Sequence, residues 1–161
     1  MSEAKRIEDQ LWRALYGDAW HGPAVLELLD GIQAGIAAAR PIRGLHSIWE
    51  IVLHIDAWHQ AVFRRLHGHA VELPPEQDWP APGRQTAPAW RAALQLLHDN
   101  HQALCRAVGC LPDSQLPVQV PGKEQGHSVY HMLHGVVQHD LYHAGQIALL
   151  KKAVKAKAPR R

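Results

Sequence analysis

His139-Asp140-Leu141-Tyr142-His143 lies in a stretch, residues 128–150, whose apolar residues recur with the period of an α-helix. On a helical projection the two histidines are about 40° apart and fall within the main apolar stripe. That stripe contains Val129, Met132, Val136, Ile147 and Leu150. Because such a stripe faces the core of a helical protein, the pattern predicts two imidazoles that point inward from one long helix.

Histidines four residues apart on a helix can each place one nitrogen on the same metal ion. Spacing alone is weak support here, because the chain has 13 histidines in 161 residues and contains a second such pair, His127 and His131. The second pair falls on the polar side of the helix and is expected to face solvent. The inward pair needs hydrogen-bond partners or a metal to offset the loss of water, and the spacing allows either.

A second helix is predicted from Ser47 to about His67, because Ser47 and Glu50 form a capping box at its start. His54 lies at the edge of its apolar stripe, and His59 can also face inward. Three histidines from two helices that meet across a dry interior would form an open metal site, with a free position for water or substrate.

Two segments of this sequence resemble the DinB/YfiT-like family of helical-bundle proteins. The first is Ser47-Ile48-Trp49-Glu50-Ile51-Val52-Leu53-His54-Ile55 with Trp58, and the second is His139-Asp140-Leu141-Tyr142-His143-Ala144-Gly145-Gln146-Ile147. Arg40-Pro41 and Asp78-Trp79-Pro80 match as well, and the resemblance extends over roughly residues 7–152.

This resemblance implies an all-α fold, a four-helix bundle with long crossover connections that is often dimeric. It also implies a divalent metal ion held by His54, His139 and His143. The family does not supply one activity. Some members resemble transferases or isomerases that use low-molecular-weight thiols, and others are described only as metal-dependent hydrolases.

Three neutral imidazoles would leave a divalent ion its full charge. Imidazole suits zinc, our first choice, and nickel, our second, as well as iron and copper. A low-molecular-weight thiol is the co-substrate that the resemblance suggests. A peptidase with a downstream third ligand is not expected, because the 18 residues after His143 contain no His, Asp, Glu or Cys.

Six further residues are candidates for roles at this site. Asp140, Gln146 and Tyr142 are the candidates for orienting or acid–base roles, and Trp58, Trp79 and His21 are the candidates for substrate contact. Asp140 lies at the rim of the apolar stripe, where we expect it to orient a neighbouring ligand rather than act as a general base. Trp79 is flanked by prolines, and we expect it to anchor a long connection, with a lid as the alternative.

The length and the 47% apolar composition predict one domain over residues 1–161, with a core of about 3–155 and a basic tail at 151–161. No apolar run of about 18 residues is present, so no membrane span is expected. The charged start predicts no signal peptide and a cytoplasmic location.

Cys105 and Cys110 form no paired-cysteine motif and are expected to be reduced core thiols. The basic residues crowd the tail without a broad basic face, so nucleic-acid binding is not expected.

Helices are predicted at residues 7–17, from Pro23 through Leu29, within 31–40, at 47–67, from Thr86 through Leu104, and at 128–155. Residues 116–120 are predicted to be a short extended piece. The long connections 68–85 and 109–127 are rich in proline and glycine, and loops of this length are often functional.

The last helix carries a second apolar stripe that includes Leu133, Val137 and Ala144. A helix that is apolar on two sides is central in its bundle or contacts another subunit, and we expect a homodimer. Three functional interpretations stay open. The chain is a metal-dependent enzyme for a small molecule, a non-catalytic metal-binding or stress-related protein, or an interaction module with core histidines.

Overall fold

The computed structural model describes residues 1–121 and 126–157, and within them the chain is all-helical, as predicted. The helices are α1 (Glu3–Tyr16), α2 (Val25–Leu29), α3 (Ala34–Ala38), α4 (Ile48–Leu66), α5 (Pro75–Asp78), α6 (Ala87–Gly109) and α7 (Val129–Lys157). The four long helices pack side by side, with α4 against α6 and α7, and α1 against α6 and α7. The short helices α2 and α3 cover α7 and α4 respectively.

The helix boundaries follow the capping signals in the sequence. The Ser47 hydroxyl accepts the main-chain N–H of Glu50 at 3.2 Å, and the Glu50 carboxylate accepts the Ser47 N–H at 2.8 Å. This reciprocal pair satisfies two donors that the first turn of α4 would leave unpaired. Helix α1 ends before Gly17, whose φ of 144° is a conformation that other residues rarely adopt.

Buried apolar side chains form two clusters along the bundle. The first apolar cluster includes Leu15, Ile48, Ile51, Ile55, Leu97, Ile147 and Leu150. The second apolar cluster includes Ile7, Leu11, Val62, Leu104, Leu133 and Val136. The starts of α4 and α6 both belong to the first cluster, whereas the start of α7 belongs to the second. Helices α4 and α6 therefore run parallel, and α7 runs antiparallel to both.

This arrangement separates the two long connections. Because α4 ends at the second apolar cluster and α6 begins at the first, the connection between them crosses the length of the bundle and contains α5. The connection from α6 to α7 begins and ends at the same end, so it is not a crossover. It contains a 3-10 turn at Asp113–Gln115 and a bridge between Gln119 and Ser128. The extended piece predicted at residues 116–120 is thus limited to this local pairing.

The second apolar stripe of α7 is explained within one chain. Leu133, Val137 and Ala144 are buried, because α7 lies against α1, α2 and α4, whereas Tyr130 at the start of the same stripe is exposed. Packing within the chain therefore accounts for these three residues without a partner subunit. None of the described helices combines the length and hydropathy needed to span a lipid bilayer.

The basic segment at the end of the chain continues α7. Lys151, Lys152 and Lys155 are helical, and the Lys151 ammonium donates a hydrogen bond to the Leu28 carbonyl at 2.7 Å. This part of the expected tail is therefore ordered as helix. The last basic residues, Arg160 and Arg161, lie outside the described residues.

Candidate metal centre

Three imidazoles converge between α4 and α7. The Nε2 atom of His139 is 3.0 Å from Nε2 of His54 and 3.1 Å from Nε2 of His143. His54 and His143 are buried, and His139 is partly exposed. The structure therefore brings together the three histidines that the sequence singled out, which we call the three-histidine centre.

The hydrogen bonds of the Nδ1 atoms determine where the lone pairs of His54 and His143 point. The Nδ1 atom of His54 is 2.6 Å from the main-chain carbonyl oxygen of Asp78, which can only accept a hydrogen bond. Nδ1 therefore carries the proton and leaves Nε2 with a lone pair directed at His139. His143 has the same arrangement, since its Nδ1 lies 2.8 Å from the Oε1 atom of Gln146.

Two inward lone pairs cannot both be satisfied by His139, because its Nε2 can donate only one proton. A cation between the three nitrogens would satisfy them all. Ligand atoms that each lie about 2.1 Å from one ion are roughly 3 to 3.5 Å apart, which matches the observed spacing. The three-histidine centre could therefore hold a metal ion.

Burial favours the neutral form of His54 and His143. Desolvation, with the charge of His139 as the next cause, lowers the pKa of His143 to about 4. Desolvation also lowers the pKa of His54, against the opposing effect of Asp78. Neutral imidazole is the form that binds metals, so protons compete little at neutral pH.

Aromatic rings enclose His54 on the side of the crossing connection. The Trp79 indole is stacked on His54 at a centroid distance of 3.8 Å, and His46 is stacked on the same indole at 3.7 Å. The Trp58 indole N–H donates to the Asp78 carboxylate at 2.8 Å. Trp79 thus packs as an anchor of the crossing connection, in line with the first of the two roles considered for it.

Asp140 has a different partner from the expected one. It is fully buried and accepts a hydrogen bond from Nε2 of His59, at 2.9 Å for one oxygen and 3.0 Å for the other. Its distance from Nδ1 of His139 is 3.9 Å, which is beyond hydrogen-bond range. The neighbouring helices decide this contact, since His59 projects from α4 directly at the carboxylate.

Two cavities flank the three-histidine centre. The larger, about 520 Å³, is lined by Trp58, Asp78 and His139 on the side of the centre, and it extends to Arg65. His127 and His131 line it as well, although His131 is exposed as expected. The smaller, about 200 Å³, is lined by Trp79, Tyr142, His143 and Gln146.

The remaining candidates are more peripheral. Tyr142 is exposed and meets His143 edge-on at a centroid distance of 5.1 Å. His21 is exposed and lines neither of these cavities. Cys105 is a buried free thiol as expected, but Cys110 is exposed and was wrongly expected in the core.

Three residues that lie against predicted inward or site residues were given no functional role by the sequence analysis. Asp78 contributes a main-chain oxygen, for which no residue type is diagnostic. His46 lies in a connection without periodicity. His101 occupied an apolar position of the predicted third helix, between Leu97 and Leu104, and this was a usable signal of burial.

The fold and the site define a class of protein: an all-helical bundle with a buried histidine cluster that could hold a metal ion. The chain matches the family model of the DinB superfamily over residues 19–147 and belongs to that superfamily. No curated protein and no solved structure matches the chain.

Proposed function

We propose that the protein is a metal-dependent enzyme that acts on a small molecule at the three-histidine centre. The observation that carries this proposal is the orientation of His54 and His143, whose Nε2 lone pairs meet at His139 while both Nδ1 atoms are occupied by acceptors. A divalent ion held there, zinc first or nickel second, would supply Lewis acidity for a nucleophile or a carbonyl group at neutral pH.

The larger cavity is the proposed substrate site. Its volume of about 520 Å³ falls in the range of small-molecule pockets, and it adjoins His139 directly. The ring of Trp58 forms part of its wall, and the Arg65 guanidinium lies 5.6 Å from that ring's centroid. The lining combines apolar side chains with the guanidinium of Arg65 and the carboxylates of Glu72 and Asp78, which suits a small molecule that has both an apolar and a polar part.

Asp78 is the proposed proton acceptor on the cavity wall. Its Oδ1 atom is held by the Trp58 indole and lies 3.2 Å from Nδ1 of His54. Asp140 is less suited to this role because it is fully buried and lines neither cavity. Gln146 instead orients His143, and Tyr142 borders the smaller cavity.

Two reaction types fit this arrangement, thiol-dependent transfer and hydrolysis. A low-molecular-weight thiol is the proposed co-substrate of the first. Both types need the same ion and the same cavity, so only turnover distinguishes them. The alternative is a non-catalytic metal-binding protein, for which the same centre would bind an ion without turnover.

The test uses zinc-loaded and nickel-loaded full-length protein. Initial rates are measured with low-molecular-weight thiols and carbon electrophiles, and with a panel of esters and amides. We expect turnover in one panel, and a loss of more than about 100-fold in kcat/KM for His54→Ala, since a Lewis acid contributes several kcal/mol. The matched control is His67→Ala, which removes an exposed histidine at the end of the same helix. No turnover by metal-loaded protein in either panel would favour the non-catalytic alternative.

We further propose a cytoplasmic homodimer. Tyr142 and Leu149 are exposed and seven residues apart on α7, so they share one face of that helix. Sedimentation velocity should give a dimer for the wild type and a monomer for Leu149→Glu. Leu96→Glu changes an exposed leucine on α6 and should leave the dimer intact.

A further inference from the structure

A second buried polar cluster lies in the middle of the bundle. It consists of His59 on α4, His101 on α6 and Asp140 on α7, and the three side chains have no exposed surface. On each helix the polar residue is preceded by one apolar cluster and followed by the other. We call this group the mid-bundle cluster.

The hydrogen bonds of the mid-bundle cluster are incomplete. His59 Nε2 is paired with the carboxylate of Asp140, but its Nδ1 atom has no partner. Neither ring nitrogen of His101 makes a hydrogen bond of acceptable geometry, although the Leu11 carbonyl lies near enough to favour its protonated form. Buried polar groups without partners are destabilising, so a cluster that leaves three such nitrogens needs an occupant.

The charge state of the cluster suits a cation. The carboxylate of Asp140 is fully buried, and both of its oxygens lie within 3.0 Å of Nε2 of His59. Burial, followed by the charge of His59, lowers the pKa of His101 to about 3. The cluster therefore offers a buried carboxylate and a neutral imidazole.

We propose that His59, His101 and Asp140 form a second divalent metal site, separate from the three-histidine centre. Their potential ligand atoms all lie within 4.8 Å of one another, and an ion among them would occupy nitrogens of both histidines and balance the carboxylate. Two imidazoles and one carboxylate suit zinc, iron(II) or cobalt(II), whereas calcium and magnesium prefer oxygen ligands.

The two sites have no ligand in common. His139 faces the three-histidine centre through Nε2, and its Nδ1 atom is 3.9 Å from the carboxylate of Asp140. The second site therefore does not depend on the proposed activity. Its residues line neither cavity, so the proposed ion is given no part in turnover, and its three protein ligands leave a coordination position for a buried water.

The experiment counts metal ions per chain. Because the mid-bundle cluster is closed to solvent, the ion is supplied during synthesis, by expression of the full chain in cobalt-supplemented medium. Elemental analysis after gel filtration should give two cobalt ions per wild-type chain. His54→Ala should retain one, His101→Leu should retain one, and the double variant should retain none.

The variants separate the two sites. If the wild type holds one ion and His54→Ala holds none, the second site does not exist and the mid-bundle cluster contains water. If His101→Leu does not fold, His54→Ala still tests whether the second site holds an ion. X-ray absorption of the ion that remains in His54→Ala should show mixed nitrogen and oxygen ligands. An ion that persists in His54→Ala but not in His101→Leu, with one ion in the wild type, would support the second site and contradict the three-histidine centre.

Discussion

The indole of Trp79 lies parallel to the imidazole of His54, with ring centroids 3.8 Å apart and planes that differ by 4°. The same indole is stacked on His46. His54 is thus held by a hydrogen bond to Asp78 at its edge and by an aromatic ring on its face. A ligand ring that is held in place before the ion binds loses less conformational freedom on binding.

Trp79→Ala should therefore weaken metal binding without removing a ligand. Aromatic pairs contribute about 0.5–1.5 kcal/mol, which corresponds to roughly two- to tenfold in affinity. Zinc affinity is measured by competition with a chromophoric chelator. Trp79→Phe should restore most of the affinity, and Trp20→Ala, which removes a fully exposed indole, should change nothing. Wild-type affinity in Trp79→Ala would show that the stacking does not position His54.

Gln146 should contribute to metal affinity although its side chain is partly exposed. Its Oε1 atom accepts a hydrogen bond from Nδ1 of His143 at 2.8 Å and so fixes the tautomer of this predicted ligand. Loss of such a partner typically lowers metal affinity by about 10- to 100-fold. We expect this loss for Gln146→Ala in the same chelator competition.

Gln138→Ala is the matched control for that measurement, because Gln138 is exposed on the same helix. Equal affinities for the two variants would mean that the hydrogen bond to His143 does not contribute. A loss in both would indicate a general effect on α7 rather than an effect on the ligand.

The sequence predicted the three-histidine centre because its determinants are local. Helical period alone places His139 and His143 on one face and leaves His54 and His59 as inward candidates, and the family resemblance selects His54 as the third ligand. The partners of these histidines were not predictable in the same way. The oxygen that meets His54 belongs to the main chain of Asp78, which reaches the site only because the connection from α4 to α6 crosses the bundle.

The contacts of the mid-bundle cluster could not be predicted from the sequence either, because they depend on how the helices pack. The projection placed Asp140 at the rim of the α7 stripe, where a contact with a neighbouring metal ligand was expected. The structure buries it completely because α4 and α6 present His59 and His101 to it. The topology determines which helices are neighbours, and the periodicity of one helix gives no information about its neighbours.

Ser47→Ala should destabilise the fold. Its hydroxyl accepts the Glu50 N–H and donates to the Glu50 carboxylate at 2.7 Å, and both residues are buried. Loss of a helix N-cap costs about 0.5–2 kcal/mol, and burial favours the upper part of that range. Urea unfolding measures the change in the free energy of unfolding.

Ser2→Ala serves as the control for the buried cap. Ser2 caps α1 through a hydrogen bond of 3.3 Å from Lys5 N–H, at an exposed position. We expect a loss of about 0.5 kcal/mol, at the low end of the range for caps. Equal losses for the two serines would contradict a special contribution of the buried Ser47–Glu50 pair.

Cys105 should make the stability of the protein sensitive to alkaline pH. Burial, followed by the charges of Glu8 and Asp140, raises the pKa of this thiol from 9.0 to about 12. The unfolded chain loses the thiol proton above pH 9, while the folded chain keeps it. The stabilisation from this group is therefore fully present below pH 9 and is lost as the pH rises toward 12.

The loss amounts to at most about 1.4 kcal/mol for each pH unit above 9. Urea unfolding at pH 8 and pH 10 should show a decrease in the free energy of unfolding of about 1 kcal/mol, most of which is absent from Cys105→Ala. A smaller decrease of about 0.4 kcal/mol should remain in that variant, because burial also raises the pKa of Tyr16 from 10.0 to about 12 and the unfolded chain begins to lose that proton near pH 10. Cys110→Ala, which removes the exposed thiol, should behave like the wild type, and a wild-type response in Cys105→Ala would assign the alkaline sensitivity to other groups.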